Sequence, residues 1–270
     1  MGDGYGMRPQ LVNPVNCKNV LIEDVTLLRS PFWVIHPMFC ENVTVRGVHV
    51  QNDGPNGDGC DPESCKDVLI EDCFFDTGDD CIAIKSGRDN DGWTLGSPTE
   101  NIVIRNCHFK GLHAVVIGSE MSGGVRNIVI ENCDYAGYCK RGIYVKTNPD
   151  RGGFVENIFV HNCTFCEVED LFYVTSQYAG EGLDNDHFST ISGIYVDGLR
   201  CDKASAAALV VQGTPQKPVA DVVLQGVEAG DAKIGVSFSN TTGVTMNDCH
   251  IGGTAGVPTQ VTPTDHIFDR

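Results

Sequence analysis

The chain has 270 residues, of which 41% are hydrophobic, so it can bury a sizeable core in a single domain. It carries 36 Asp and Glu against 19 Lys and Arg, a formal charge of −17. This balance argues against nucleic acid or an anionic membrane as a partner, because both require a basic face. No run of 18 apolar residues and no signal-peptide pattern is present, so neither a membrane span nor a targeting signal is predicted.

One short pattern recurs along nearly the whole chain: Asn, Asp or Gly, then an apolar residue, any residue, and a second apolar residue. Its nine copies begin at Asn19, Asn42, Asp67, Asn101, Asn127, Asn157, Gly193, Asp221 and Gly243. Apolar alternation at +1 and +3 predicts a strand with one buried face. Only Gly, Asn or Asp stands five residues after each start, and these types tolerate left-handed backbone angles. Each strand is therefore predicted to end in a tight bend.

A second apolar run, such as Cys81–Ile84, follows in most of these units and completes a coil of 22 to 36 residues. Like residues at like positions would stack if each unit is one coil of a solenoid. No helix is predicted, because apolar residues at i, i+3, i+4 and i+7 are hard to find. The sequence predicts an all-β parallel β-helix of about nine coils, forming one domain over residues 1–270.

The thirteen cysteines fit this interpretation. Their odd number argues against a fully paired disulfide framework, and no C-x-x-C pair suggests a metal site. Five of them occupy the apolar column six residues after a repeat start, where Cys acts as a small hydrophobe. We interpret the cysteines as structural thiols.

The first coil begins almost at the start of the chain, without an amphipathic helix to cover it. Open edges pair with other molecules unless they are covered. We therefore expect that the parent protein has a further N-terminal portion that includes a cap, or that another subunit covers this end. Self-association through the uncapped end is the corresponding partner prediction.

Carboxylates gather in two successive coils. Asp58 lies in a Gly-rich loop, and Asp79 and Asp80 follow Gly78 in the next coil. Because Asp58 and Asp79 precede corresponding parts of their coils, stacking would place three carboxylates in one surface patch. Like charges at short range raise at least one pKa, which keeps one carboxylic acid protonated beside an ionised base. A Gly-Asp-Asp turn with no catalytic role is the alternative.

The same edge continues into the next coils with His113 and Lys146. Lys146 ends the strand that is predicted to stack after the His113 strand. Carboxylates, an imidazole and an ammonium group along one edge predict a cleft for an anionic sugar chain. The alternative for His113 is a surface residue unrelated to chemistry.

Four segments resemble the signature segments of polygalacturonases in glycoside hydrolase family 28: Pro55–Gly59, Gly78–Gly87, Val115–Gly124 and Lys146–Gly153. The resemblance is closest to the bacterial, exo-acting type. It implies a right-handed single-stranded parallel β-helix that hydrolyses α-1,4-linked galacturonate with inversion, without metal or other cofactor. The partner would be an acidic polysaccharide of the cell wall. Because pectin lies outside the cell, a secreted or periplasmic parent protein is plausible, although the compartment itself stays undetermined.

The resemblance also implies roles by motif position. Asp79 would be the general acid that protonates the leaving oxygen, and Asp58 and Asp80 would activate the water. An inverting pair of carboxyl groups must leave room for that water. Asn56 matches the family's Asn before the first Asp, and Lys146 matches the Lys that binds the substrate carboxylate.

Two departures from the family pattern affect the site. The family's Gly-His-Gly is replaced by Leu-His-Ala around His113, so this residue is either the same His after a one-residue deletion or its neighbour. Tyr144 stands where the family has an Arg that helps to hold the substrate carboxylate. Arg141 or Arg151 could compensate, so Tyr144 and Arg141 join the candidate substrate-binding residues.

Three alternatives stay open at this point. A related hydrolase could act on rhamnogalacturonan, given the altered subsite at Tyr144. A β-helix could bind carbohydrate with weakened or no catalysis. A pectate lyase could bind calcium through the clustered carboxylates, although a lyase also needs an Arg or Lys base beside the metal.

Overall fold

The computed structural model describes residues 7–178 and 186–253, together with the backbone of residues 260–261 and 266–268. All pairings between the described strands are parallel. The strands are β1 (Lys18–Glu23), β2 (Thr26–Leu28), β3 (Glu41–Arg46), β4 (His49–Asn52), β5 (Lys66–Glu71), β6 (Phe74–Thr77), β7 (Asp80–Ile84), β8 (Thr99–Arg105), β9 (His108–Lys110), β10 (His113–Gly118), β11 (Val125–Glu131), β12 (Asp134–Lys146), β13 (Phe154–Thr175), β14 (Thr190–Gln212), β15 (Val219–Gln225), β16 (Glu228–Ser239), β17 (Thr241–Asn247), β18 (His250–Ile251), β19 (Gln260–Val261) and β20 (His266–Phe268). The single-domain prediction for 1–270 stays a prediction, since it includes residues outside the described ranges.

All nine predicted repeat strands are present, and their register stacks like positions on like positions. The apolar residue after each repeat start forms one column through the core, buried from Val43 onward. The column consists of Val20, Val43, Val68, Ile102, Ile128, Ile158, Ile194, Val222 and Val244. This arrangement confirms the predicted all-β parallel β-helix, in which each coil contacts its neighbours in the stack.

The bends also follow the sequence pattern. Asp72 and Asn106, five residues after their repeat starts, have φ of +53°. The repeat-start residues themselves, which were not predicted to bend, are left-handed as well, as at Asn101 with φ +60° and Asn127 with φ +58°. Their amides form a ladder between coils, in which Asn127 Nδ2 donates to Asn101 Oδ1 at 3.0 Å. Stacked Asn side chains thus stabilise the bend that each of them adopts.

The outer surface of strands β1, β3, β5, β8 and β11, here called the ladder face, carries charges that alternate from coil to coil. Glu100 lies between two cations of adjacent coils, with Arg126 Nη2 at 2.6 Å and Lys66 Nζ at 3.5 Å. A second column pairs Arg105 Nη2 with Glu71 Oε2 at 2.7 Å. These pairs connect successive coils at the protein surface.

A second surface, here called the cleft face, is the outer surface of β7, β10 and β12 with the turns that flank them. In its register, Asp80, His113, Arg141 and Asp170 follow one another along the stack. The buried side of the same strands packs into the core. The parallel register therefore brings chemically different residues together on this face.

Two details differ from the sequence-based expectations. The apolar run around Ile35 forms only isolated bridges, to Val12 and Cys60, instead of a strand. A short helix, α1 (Asp89–Leu95), lies between β7 and β8. The expectation of no helix was wrong here because seven residues are too few to show an apolar helical period. The helix is capped by Gly96, whose left-handed backbone (φ +53°) donates its N–H to the Gly92 carbonyl.

Within the described ranges, no helix is long and apolar enough to cross a membrane.

The thirteen cysteines are all unpaired, in agreement with their interpretation as structural thiols. Cys73 and Cys107, for example, are buried in the core. The Cys73 thiol donates to the Glu71 carbonyl at 3.1 Å, and the Cys107 thiol donates to the Arg105 carbonyl at 3.3 Å.

Candidate active site

A cleft of about 720 Å³ opens on the cleft face. Every residue that the sequence assigned to the site lines this cleft, although the residues come from four coils. They are Asn56, Asp58, Asp79, Asp80, His113, Arg141, Tyr144 and Lys146. The predicted gathering of carboxylates, imidazole and ammonium on one edge is therefore present in the structure.

Asp58 is placed by the close approach of its loop to β7. The Gly59 N–H donates to the Asp80 carbonyl at 3.0 Å. A Cβ on Gly59 would lie 2.5 Å from the Cys81 carbonyl oxygen and 2.5 Å from Phe75 Cδ1, so only glycine fits. Burial, reinforced by the charges of Asp80 and Asp79, raises the pKa of Asp58 to about 7, although Lys85 opposes this shift.

Asp79 is held by its backbone, and its half-buried side chain faces the cleft. The Thr77 hydroxyl and the Leu112 N–H both donate to the Asp79 carbonyl, at 2.9 and 3.2 Å. A Cβ on the preceding Gly78 would lie 2.5 Å from the Asp53 carbonyl oxygen, so this tight turn requires glycine. Burial, together with the adjacent Asp80, raises the pKa of the Asp79 carboxyl.

Asp80 starts β7 and is almost fully buried, with both carboxyl oxygens paired. His113 Nδ1 lies 2.7 Å from Asp80 Oδ1, and Lys146 Nζ lies 3.0 Å from Oδ2. Burial alone would raise the pKa of Asp80, but the Lys146 ammonium and the hydrogen bond from His113 hold it well below its ordinary value. Asp80 thus remains ionised while Asp79 beside it favours its proton.

His113 lies in register with Asp80, so the altered Leu-His-Ala segment still brings an imidazole to the carboxylates. Its Nδ1 is engaged by Asp80, while its buried Nε2 has no hydrogen-bond partner among the described residues. The ring centroid of His113 lies 5.5 Å from that of Tyr144. His113 therefore lies between Asp80, a catalytic candidate, and Tyr144, a substrate-binding candidate.

Arg141 lies over Tyr144, the residue that stands in place of the family's Arg. Its Cζ is 5.1 Å from the Tyr144 ring centroid and 4.5 Å from that of Tyr173. Its Nη2 is also paired, at 3.2 Å from Asp170 Oδ2 and 3.5 Å from Glu169 Oε1. Arg141 thus reaches the altered subsite, but part of its guanidinium is already occupied by protein carboxylates.

Asn56 is oriented by Arg8, a residue that the sequence did not point to. Arg8 Nη2 donates to Asn56 Oδ1 at 2.6 Å, and Arg8 Nη1 donates to the Pro55 carbonyl at 2.7 Å. Because a guanidinium can only donate, it engages the amide oxygen of Asn56. Asn56 therefore offers its NH₂ group to the cleft.

A buried cation beneath Asp58 was also missed. Lys85 Nζ lies 3.4 Å from Glu120 Oε2, 3.7 Å from Asp61 Oδ2 and 3.9 Å from Asp58 Oδ2. It also lies 4.4 Å from the Trp33 ring centroid. The available signals were modest: Lys85 ends the strand after the Asp pair, and Asp61 follows Asp58 by three residues.

Asp79, Asp80 and His113 are the described residues whose ligand atoms approach each other within 4.8 Å, as a metal site requires. However, both oxygens of Asp80 already accept hydrogen bonds, from His113 and Lys146. A cation would have to displace the Lys146 ammonium from Asp80. The donor set therefore favours an ion pair over a metal ion.

The cleft carries more cations than carboxylates, although the whole chain is strongly acidic. Its acidic lining residues are Asp58, Asp79, Asp80 and Glu120. Its basic lining residues are Lys85, Arg88, Lys140, Arg141, Lys146 and Arg151. The positive excess is thus local to the cleft, and it suits an anionic ligand.

A family model described as glycosyl hydrolases family 28 matches the chain over residues 4–251. The chain belongs to this family. A probable polygalacturonase of Vitis vinifera is 35% identical over 228 residues, covering 82% of this chain and 46% of the relative. The chain thus spans about half the length of this relative.

Solved structures of the family are also similar. The exopolygalacturonase of Thermotoga maritima superposes with a TM-score of 0.82 at 38% identity, covering 92% of this chain and 56% of that one. The family 28 exopolygalacturonase of Yersinia enterocolitica has a TM-score of 0.82 at 20% identity, covering 97% of this chain and 47% of that one. At 20% identity, the similarity to the Yersinia enterocolitica structure shows a shared fold alone.

Proposed function

We propose that this protein is a pectin-degrading hydrolase that cleaves α-1,4-galacturonosyl linkages with inversion. The observation that carries the proposal is the cleft itself, in which carboxyl groups with opposite pKa shifts lie inside a cationic lining. Two titratable groups whose environments push their pKa values apart are the signature of an acid and base pair. Membership of family 28 supports the same reaction.

In this mechanism Asp79 is the general acid. Its raised pKa favours the protonated form, and it is the most accessible of the three carboxyl groups. Its proton passes to the leaving glycosidic oxygen as the bond to the anomeric carbon breaks. Asp80 stays ionised through Lys146 and His113, and together with Asp58 it orients and deprotonates the attacking water.

The substrate would be bound through its carboxylates and hydroxyl groups. Lys146 is the principal candidate, because its ammonium lies at the cleft between Asp80 and the rings of Tyr144 and Tyr178. The NH₂ group of Asn56, in the loop between β4 and β5, offers hydrogen-bond donors to the substrate. Arg141 and Tyr144 complete the subsite, where burial keeps the pKa of Tyr144 raised and its hydroxyl neutral.

We further propose exo action, with an acidic polysaccharide chain as the partner. The support is the 38% identity to a Thermotoga maritima exopolygalacturonase over most of this chain. The bacterial, exo-acting type stays a prediction. A plant relative, the probable polygalacturonase of Vitis vinifera, has a similar identity of 35%.

The test is the product profile on defined oligogalacturonates of increasing length. Release of monogalacturonate alone, in step with new reducing ends, is the expected result. A mixture of internal fragments would overturn exo action, and binding without any turnover would favour a carbohydrate-binding protein over an enzyme.

A second substrate is favoured by one specific observation. Tyr144 stands in place of an Arg, and the nearby Arg141 is paired with Asp170 and Glu169. A subsite with less available positive charge would tolerate a neutral sugar, as in rhamnogalacturonan. Faster hydrolysis of rhamnogalacturonan than of polygalacturonate would establish that alternative.

A further inference from the structure

Asp61 is a fully buried carboxyl group below the cleft, three residues after Asp58, and the proposed reaction does not use it. Its backbone is held in the stack, since the Asp61 N–H donates to the Ile35 carbonyl at 2.7 Å. Its side chain does not line the cleft. A buried acidic residue with no role in binding or catalysis requires a physical explanation.

As a carboxylate, Asp61 would lack hydrogen bonds. Neither of its carboxyl oxygens has a donor among the described residues, and Asp58 Oδ1 has none either. Lys85 Nζ lies 3.7 Å away, beyond hydrogen-bonding distance, and it lies closer to Glu120. The Asp61 and Asp58 carboxyl groups instead flank the same ammonium, with their Oδ2 atoms 3.7 and 3.9 Å from Lys85 Nζ. A hydrogen bond between the two carboxyl groups would satisfy them, and it needs a proton on one of them.

The charges around the pair lead to the same conclusion. Lys85 is a single buried cation among three carboxyl groups, and ionised Glu120 is its nearest partner. Two further negative charges in contact would be left without compensation. One negative charge and one shared proton on the Asp58–Asp61 pair remove this conflict.

We propose that Asp61 is a positioning residue that keeps this proton and donates it as a hydrogen bond to Asp58, so that Asp58 is the ionised member of the pair. Asp61 is the more deeply buried of the two, whereas Asp58 faces the cleft, where solvent stabilises a charge. The inference rests on the proposed function only for its consequence: Asp58 can then act as a base while Asp79 is still protonated.

The charged groups that face the pair come from every element packed against it. They are Asp79, Asp80, Lys85, Glu120 and Lys146. Burial, followed by the neighbouring Asp58, raises the pKa of Asp61 well above its ordinary value. This direction agrees with a proton held on Asp61.

The pH dependence of kcat/KM in two variants tests the proposal, because its acid limb reports the pKa of the free enzyme's base. In Asp61→Asn the side-chain amide still donates to Asp58, so the acid limb should stay within about 0.3 pH unit of the wild type. In Asp61→Leu the donor is lost, and the limb should move to higher pH by about one unit. Movement to lower pH in both variants would mean that Asp61 is ionised and would overturn the proposal. An unmoved limb in both variants would do the same.

A second measurement does not need the Leu variant to fold. In ¹³C-aspartate-labelled wild-type protein, one buried carboxyl should remain protonated at about pH 8, above the pKa of Asp58, and this signal should disappear in Asp61→Asn. Absence of such a signal in the wild type, or its survival in Asp61→Asn, would overturn the proposal. This titration needs no turnover, so its outcome is separate from failure of the proposed hydrolysis, which would show as absence of products in the wild type.

Discussion

The ladder face and the cleft face are built by the same parallel stacking, but they use it in opposite ways. On the ladder face, neighbouring coils carry opposite charges that are paired and solvent-exposed, as with Lys18 and Glu41. On the cleft face, the register stacks Asp80, His113 and Arg141, three residues of different chemistry, two of which are buried. The first arrangement connects coils to each other, and the second concentrates charge in a partly desolvated cleft.

The difference shows how a repeat fold can carry a site. A column of similar or complementary residues can only repeat one interaction. A break in the repetition instead places an acid, an imidazole and a guanidinium on successive coils, about one strand spacing apart. Because these groups are buried, their mutual effects on pKa are large. Charge changes should therefore affect activity on the cleft face and slightly affect stability on the ladder face.

The largest effect is expected from Asp79→Asn. The amide cannot supply a proton to the leaving oxygen, so kcat should fall by about 10²–10⁴-fold with unchanged circular dichroism. The matched control is Asp67→Asn, which replaces an exposed ladder-face carboxylate that accepts a hydrogen bond from Asn101 Nδ2 at 2.8 Å. Equal activity of both variants would remove the distinction between the two faces.

A smaller loss is expected from Lys146→Gln. It removes the ammonium that pairs with Asp80 and is proposed to bind the substrate carboxylate, so kcat/KM on oligogalacturonate should fall roughly 10- to 100-fold. Lys203→Gln serves as the control, because Lys203 is paired with Glu167 at an exposed position. A KM unchanged by Lys146→Gln would exclude the proposed substrate contact.

The stability of the protein should depend on pH through the Asp58–Asp61 pair. Burial raises its folded-state pKa, so between about pH 4 and pH 7 the folded protein retains a proton that the unfolded chain has lost. The free energy of unfolding should decrease as pH rises through this window, by on the order of 4 kcal/mol for one proton retained over about three pH units. Asp80 acts in the opposite direction, since its depressed pKa stabilises the fold above about pH 4 and this contribution is lost only at lower pH.

Urea unfolding of the wild type and Asp61→Asn at several pH values measures this contribution. The variant cannot bind the shared proton, so its free energy of unfolding should change less between pH 4 and 7. The same pH dependence in both proteins would show that the pair takes up no proton on folding.

The smallest effect is expected on the ladder face, from Arg105→Gln. The Arg105 side chain is exposed and screened by salt, and its buried partner Glu71 keeps Arg46 Nη1 at 3.8 Å as a second cation. The Tm should fall by no more than about 2 °C, with kcat/KM unchanged. A loss of activity comparable to that of Lys146→Gln would contradict the separation of the two faces.

Most of the fold could be predicted from the sequence, because the repeat pattern is local. Alternation and bend residues recur in each coil, so all nine repeat strands were found. The α1 helix and the isolated bridges at Ile35 were missed, since both segments are short and depend on neighbouring coils. The left-handed repeat starts were also missed, although their Asn and Gly residues tolerate this conformation.

The part of the site that could be predicted from the sequence is the set of residues that lie in the recognised motifs. Counting coils placed Asp58, Asp79, Asp80, His113 and Lys146 on one edge, and the cleft contains them all. The interactions that modify these residues depend on three-dimensional packing. The sequence carries only weak signals for the burial of Asp61 and for the position of Lys85 among three carboxyl groups, and the pairing of Arg141 with Asp170 depends on the register of the coils.

The most direct test of the cleft as an acid and base pair around a water is the configuration of the first product. Hydrolysis of trigalacturonate is followed by ¹H NMR immediately after addition of enzyme, before mutarotation mixes the anomers. The proposed direct attack by water on an α-linkage should release a new reducing end as the β-anomer. Initial appearance of the α-anomer would indicate a covalent intermediate and would contradict the roles assigned to Asp58, Asp79 and Asp80.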